Sequence, residues 1–141
     1  MIDAKSYTAF VKRYYSFLIS EFDFIVSSEK VRGNTFYDIQ YSNKKIAISI
    51  SYENIEDYFQ INIYLLNNGY FPDYDDKTKT LNLSKVNALV IKEISKKEIE
   101  LNNDYFLIFE AHDHFQKKLI KSAKELRLSM KHLKEFPQFK L

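Results

Sequence analysis

Glu110, His112, Asp113 and His114 form the densest group of proton-transferring and metal-ligating side chains in the sequence. If this segment is helical, Glu110 and His114 lie four residues apart on one face, which would allow an acid–base pair or two ligands of a metal ion. No third ligand stands at a metal-site spacing, and the His-Glu-x-x-His order of a zinc helix is missing. His112 falls in phase with neighbouring apolar residues and reads as a hydrogen-bonded, partly buried side chain. An enzyme built around Glu110 and His114 is therefore the third of three readings.

A second place where chemistry is conceivable is Asp73, Tyr74, Asp75 and Asp76. Alternating carboxylates can wrap a hard cation, but a calcium loop also needs Asp or Asn at its fifth position, Gly at its sixth and Glu at its twelfth. Those positions hold Lys77, Thr78 and Ser84. With only Gly33 and Gly69 in the chain there is no glycine-rich phosphate loop, and no Ser sits in a nucleophile-elbow context. No catalytic residue, metal site or cofactor is assigned.

Charge patterning is more informative. Six acidic residues and no basic one lie between Glu53 and Asp76, whereas Lys117 to Lys134 holds seven basic residues against the single acid Glu125. Carboxylates interleaved with tyrosine suit a protein-binding surface, because the charges steer a basic partner and tyrosine adds contact area at low entropy cost. The candidate partner-binding set is Glu53, Glu56, Asp57, Tyr58, Asp73, Tyr74, Asp75 and Asp76. The basic run offers a second reading, a nucleic-acid interface made of Lys117, Lys118, Lys121, Lys124 and Arg127. Lysine outnumbers arginine 18 to 3 in the chain, which weighs against that use, since arginine's fork is the favoured phosphate and base reader.

The elements that must position these residues follow from periodicity. Asp3 to Phe22 carries a helical repeat (Tyr7, Phe10, Val11, Tyr14, Phe17, Leu18, Phe22), with Asp3 or Ser6 available as cap. Phe24–Arg32, Thr35–Tyr41, the alternating run Ile46 to Tyr52 and a second run through Phe59, Ile61, Ile63 and Leu65 read as four strands of an antiparallel meander. Asn67–Asn82 shows neither period and reads as a long loop or one concealing a short element. Ser84 is placed to cap a short helix. Asp104 is placed to begin a long one ending at Pro137, and thirty residues would reach about 45 Å, so it must bend, break near His112–His114 or project. The expectation is α+β: an N-terminal helix, a four-stranded meander, then a short and a long helix packed on one face, all one domain spanning 1–141.

Composition bounds the rest. The 141 residues include 12 Phe and 11 Tyr, enough aromatic bulk for a single core, and 28% charged residues, an ordinary globular share. No cysteine excludes disulfides and thiolate metal sites and fits a reducing cytoplasm. There is no signal-like start and no apolar run long enough to span a membrane. Heavy use of Lys, together with 10 Asn, suggests an AT-rich bacterial coding sequence.

Phe36–Asn43 followed by Ile46–Glu53, entered from a helix that ends in the Glu21–Phe24 turn, resembles a pattern in small bacterial proteins of immunity-protein-like build. The likeness spans roughly residues 7 to 66 and implies a helix feeding a strand meander. It implies no functional residue. The leading reading is a non-enzymatic cytoplasmic binding protein of toxin-immunity or accessory type. Its partner would be another protein, with a basic surface, and a homo-oligomer is compatible with the same composition.

Overall fold

The computed structural model describes residues 1–73 and 75–135. It contains α1 (Ala4–Tyr14), α2 (Phe17–Ser20), β1 (Ile25–Arg32), β2 (Phe36–Ser42), β3 (Ile46–Glu53), β4 (Tyr58–Leu65), β5 (Thr80–Asn82), α3 (Leu83–Val90), α4 (Lys96–Tyr105) and α5 (His114–His132). The strands form one antiparallel sheet in sequence order, so every neighbour in the sheet is also a neighbour in the chain.

Register explains why one sheet face became the core. Ile39, Ile50 and Ile61 stand in one cross-strand row, and Tyr41, Ile48 and Ile63 in the next. These residues join Tyr7, Val11, Leu119, Ala123 and Leu126 in a single buried cluster, which places the helices on that face. The opposite rows are polar: Asp38, Ser51 and Gln60, then Gln40, Ser49 and Asn62. Ser49 and Ser51 are nevertheless buried, being short side chains set between longer register partners. Ser49 Oγ donates to Asp38 Oδ1 at 2.6 Å, which satisfies a carboxylate buried on that face.

Four expectations change. The sheet has five strands, because Thr80–Asn82 pairs with Asn62–Tyr64 inside the segment read as a loop. Three residues are too few to show a period.

The N-terminal helix is two helices, broken at Tyr15–Ser16. The break lets Tyr14, Tyr15, Phe17 and Leu18 all be buried, which one straight amphipathic face does not permit. Asp23, in the left-handed region at φ 58°, then turns the chain into β1.

The cap of α3 is Asn82, whose side chain accepts from the N–H of Ser84. Finally, the long helix does not start at Asp104, which lies inside α4. A turn of tight helix at Phe106–Ile108 and an extended stretch to residue 113 separate α4 from α5, and Asp113 caps α5 by accepting from Gln116 N at 2.8 Å. Folding back at this break brings Phe106 into the core, where it is 2% exposed. The expected stop at Pro137 lies outside the described residues.

Tyrosine burial sets a pH limit on this core. Burial holds the phenols of Tyr7 and Tyr15 well above their ordinary value and raises Tyr41 to about 12. Unfolded, they ionise near pH 10, so above that pH the unfolded chain binds fewer protons than the folded one and stability falls as pH rises. In urea titrations the tyrosine-linked stability should be complete below about pH 9 and decline from about pH 10 upward, with tyrosinate absorbance appearing as the protein unfolds. Ionisation of all the tyrosines near pH 10 without loss of structure would contradict this burial.

Candidate functional site

Three stretches far apart in sequence converge at one end of the sheet. Residues 1–10, the β3–β4 hairpin and the start of α5 enclose an open cleft of about 540 Å³. The hub beneath it is Asn54, whose Nδ2 lies 2.9 Å from Ile2 O and 2.6 Å from Asn34 O, while Ile2 N donates back to its Oδ1 at 3.3 Å. One buried amide therefore fixes the N-terminal segment, the β1–β2 turn and the β3–β4 hairpin together.

The hairpin aims Asp57 into the cleft. Its φ of 51° is left-handed, a conformation Asp tolerates better than most residues but which the surroundings must hold. Tyr52 supplies that hold, donating from Oη to Asp57 Oδ1 at 2.6 Å. Tyr52 is itself wedged by Phe115, ring centroids 4.8 Å apart, and stacked on Tyr7. Lys118 reaches the same carboxylate oxygen at 3.7 Å. The Tyr52 hydrogen bond, then the charges of Lys118 and His114, keep the Asp57 carboxyl below the usual carboxylate range. Burial and the adjoining carboxylate push the Tyr52 phenol the other way, well above 10. The flanking carboxylates of Asp3 and Asp113 are the caps of α1 and α5, accepting from Ser6 N and Gln116 N at 2.8 Å each.

The structure thus draws members of three separately conceived groups into one place: Asp57 from the acidic run, Lys118 from the basic run, and Asp113 and His114 from the His cluster. It disperses the others. Glu53, Glu56 and Tyr58 stay beside Asp57 on the exposed hairpin. Asp73, Asp75 and Asp76 lie at the opposite end of β4, about 25 Å away at the usual strand rise. There Asp76 organises a turn, accepting from Thr78 N and Oγ1. Tyr74 lies outside the described residues.

Glu110 and His114 share no helix face, since Glu110 precedes α5 in the extended stretch. Glu110 stands 3.8 Å from His112, and both are exposed, so His112 is not the partly buried residue expected. Among the described residues no three His, Cys, Asp or Glu side chains are grouped to hold a metal ion, and no helix is long and apolar enough to cross a membrane.

Arg127 is the clearest departure. It is buried, its Nε donating to Glu21 Oε1 at 2.9 Å and its Nη1 to Asn102 Oδ1 at 2.8 Å, with the guanidinium 4.0 Å from the Tyr105 ring centroid. It is not available to a phosphate. Tyr52 and Asn54 were missed because nothing in their local sequence marks them; only the hairpin brings Tyr52 to Asp57.

Arg127→Ala should cost roughly 3–5 kcal/mol in denaturant unfolding, because it strands Glu21 and Asn102, whereas Lys117→Ala on the same helix should change stability by less than about 0.5 kcal/mol. A cost for Arg127→Ala under about 1 kcal/mol would remove the ion pair from the list of things holding the helices. For Asp57 the folded-state value is lowered, so its contribution is present above the unfolded value of about 4 and is lost as pH falls through the folded value. Tyr52→Phe should move the Asp57 carboxyl titration, followed by NMR, back up toward the ordinary range; an unmoved titration would exclude Tyr52 as the cause. Compared with known proteins, the chain matches no family model, no curated sequence and no solved structure.

Proposed function

We propose that this is a non-enzymatic binding protein of toxin-immunity or accessory type, acting in the cytoplasm, that engages a basic protein through the cleft and hairpin formed by Glu53, Glu56, Asp57 and Tyr58. The observation that carries the reading is the state of Asp57. A carboxylate that accepts from Tyr52 at 2.6 Å and sits beside Lys118 is a fixed anion and a poor proton acceptor. Such a group suits recognition of positive charge better than proton transfer. Tyr58, more than half exposed beside it, supplies a rigid contact surface. Cysteine-free composition fits the proposed compartment.

The distant Asp73, Asp75 and Asp76 act only through their long-range field. A standard interface of about 800 Å² per partner centred on Asp57 does not need to reach them. The nucleic-acid reading loses Arg127, which directs its donors inward, and the lysines that remain lack the planar fork favoured for phosphate and base recognition.

A photo-crosslinking amino acid in place of Tyr58, used in the cells that express the protein, should trap a basic protein, while the same group at Lys92 on the exposed turn after α3 should not. With that partner purified, Glu53→Gln, Glu56→Gln and Asp57→Asn together should lower the association rate on the order of ten-fold, more than they raise dissociation. Asp73→Asn with Asp75→Asn should lower it by only a few-fold, and that effect should vanish at high salt. Equal losses from both sets, or a trapped partner with an acidic surface, would refute the assignment.

A further inference from the structure

The tight turn at Phe106–Ile108 that follows α4 splits three large apolar residues in an unusual way. Phe106 enters the core, but Leu107 and Ile108 are turned out and are 76% and 73% exposed. Beside them runs a groove of about 340 Å³ between this segment and α5, its apolar wall made by Phe106, Leu107, Phe109, Ala111 and Ile120. Its rim is Lys117, Lys121 and Lys124. These three recur at steps of four and three residues, so they form one stripe on α5. Lys118 is paired with Asp57, yet none of the three rim lysines has an ion-pair partner among the described residues.

We infer that this groove is a second docking site, which takes an acidic amphipathic segment of a partner protein: aliphatic or aromatic side chains in the groove, carboxylates on the lysine rim. The two halves of the argument are independent. Adjacent exposed aliphatic residues over a concave apolar floor call for an apolar anchor, because leaving them in water is unfavourable in proportion to their area. Three rim ammonium groups, none within ion-pair distance of a carboxylate among the described residues, select the charge that flanks it. Nucleic acid fits less well, since the two aromatic rings of the wall are already engaged: Phe106 is buried in the core, and Phe109 carries Tyr14 at 5.3 Å and the Arg13 guanidinium at 5.9 Å. A bilayer fits less well because only Leu107 and Ile108 protrude, while the rest of the apolar surface is recessed in the groove. The site shares no residue with the Asp57 cleft and stands whether or not that cleft binds a protein.

The test is to pan a random sixteen-residue peptide library against the full chain and to measure affinities of the enriched synthetic peptides by fluorescence anisotropy. Enriched sequences should place Asp or Glu around Leu, Ile, Phe or Met. Their affinity should fall at least ten-fold both for Leu107→Asp with Ile108→Asp and for Lys117→Glu, Lys121→Glu and Lys124→Glu together. Because all these side chains are on the surface, both variants should retain the parent's circular dichroism and melting temperature. Should either fail to fold, Leu107→Ser and Lys121→Gln serve in its place, with affinity losses of a few-fold each. Four results would overturn the inference. These are basic enriched peptides, no enrichment, binding indifferent to either variant, or poly-glutamate binding as well as the enriched peptides. Two further arms name the competing occupants. Co-sedimentation with vesicles of phosphatidylcholine and phosphatidylglycerol that depends on Leu107 would assign the groove to a lipid surface. Concentration-dependent self-association abolished by Leu107→Asp would assign it to a second copy of the chain.

Discussion

The helical layer depends on a buried cation. Arg127 forks onto Glu21 with contacts of 2.9, 3.1 and 3.3 Å, and its remaining arm reaches Asn102. Asn102 in turn donates to the carbonyl of Lys124 at 2.9 Å. Residues from the end of α2, from α4 and from α5 therefore meet at one guanidinium. Burying such a pair adds little net stability compared with apolar residues of the same volume. It does forbid alternatives. Aliphatic helix faces can slip by a turn and repack, but a slip of α5 would leave a desolvated carboxylate and guanidinium apart, and a lysine lacks the planar fork that joins three groups at once.

The first four strands of the sheet need no such device, which is why they were legible. Ile46, Ile48 and Ile50 alternate with Ala47, Ser49 and Ser51, and a one-residue slip would exchange core for polar face. Short turns then make neighbouring strands pair. The helices were legible only as periodic stretches. The break between α4 and α5 is set by the need to deliver Phe106 inward, a tertiary demand with no local signature. Arg127 shows a different failure. Counted along the chain it belongs with the lysines, but it is four residues from Ala123 and so in phase with the buried stripe, whereas Lys117, Lys121 and Lys124 are out of phase. Charge density read without rotation around the helix merged two faces of opposite character.

Rotation also explains how one helix end serves two surfaces. Consecutive residues on α5 point about 100° apart, so Lys118 turns to Asp57 in the cleft while Lys117 turns to the groove. Phe115 braces Tyr52 on the first side and Ile120 floors the second. The opening turns of α5 are thus a common wall, and Asp113, by capping them, sets the position of both.

Placing α1 against α5 has a consequence for the order of events during synthesis. Tyr14 Oη lies 3.3 Å from Gln116 Oε1, and Tyr15 Oη donates to Leu119 O at 2.9 Å, contacts that close loops of 102 and 104 residues. The hairpins that join β1 to β4 close over a few residues each and can assemble as they leave the ribosome. The first helix emerges earliest and acquires part of its covering last. Until α5 is made, the faces of Tyr14 and Tyr15 that it will cover have no partner, and the nascent chain carries an exposed aromatic strip. Non-local closure of this kind slows folding and lengthens the interval in which such a strip can meet another chain. For this architecture the vulnerable species is the nascent chain that has formed its sheet but still lacks α5.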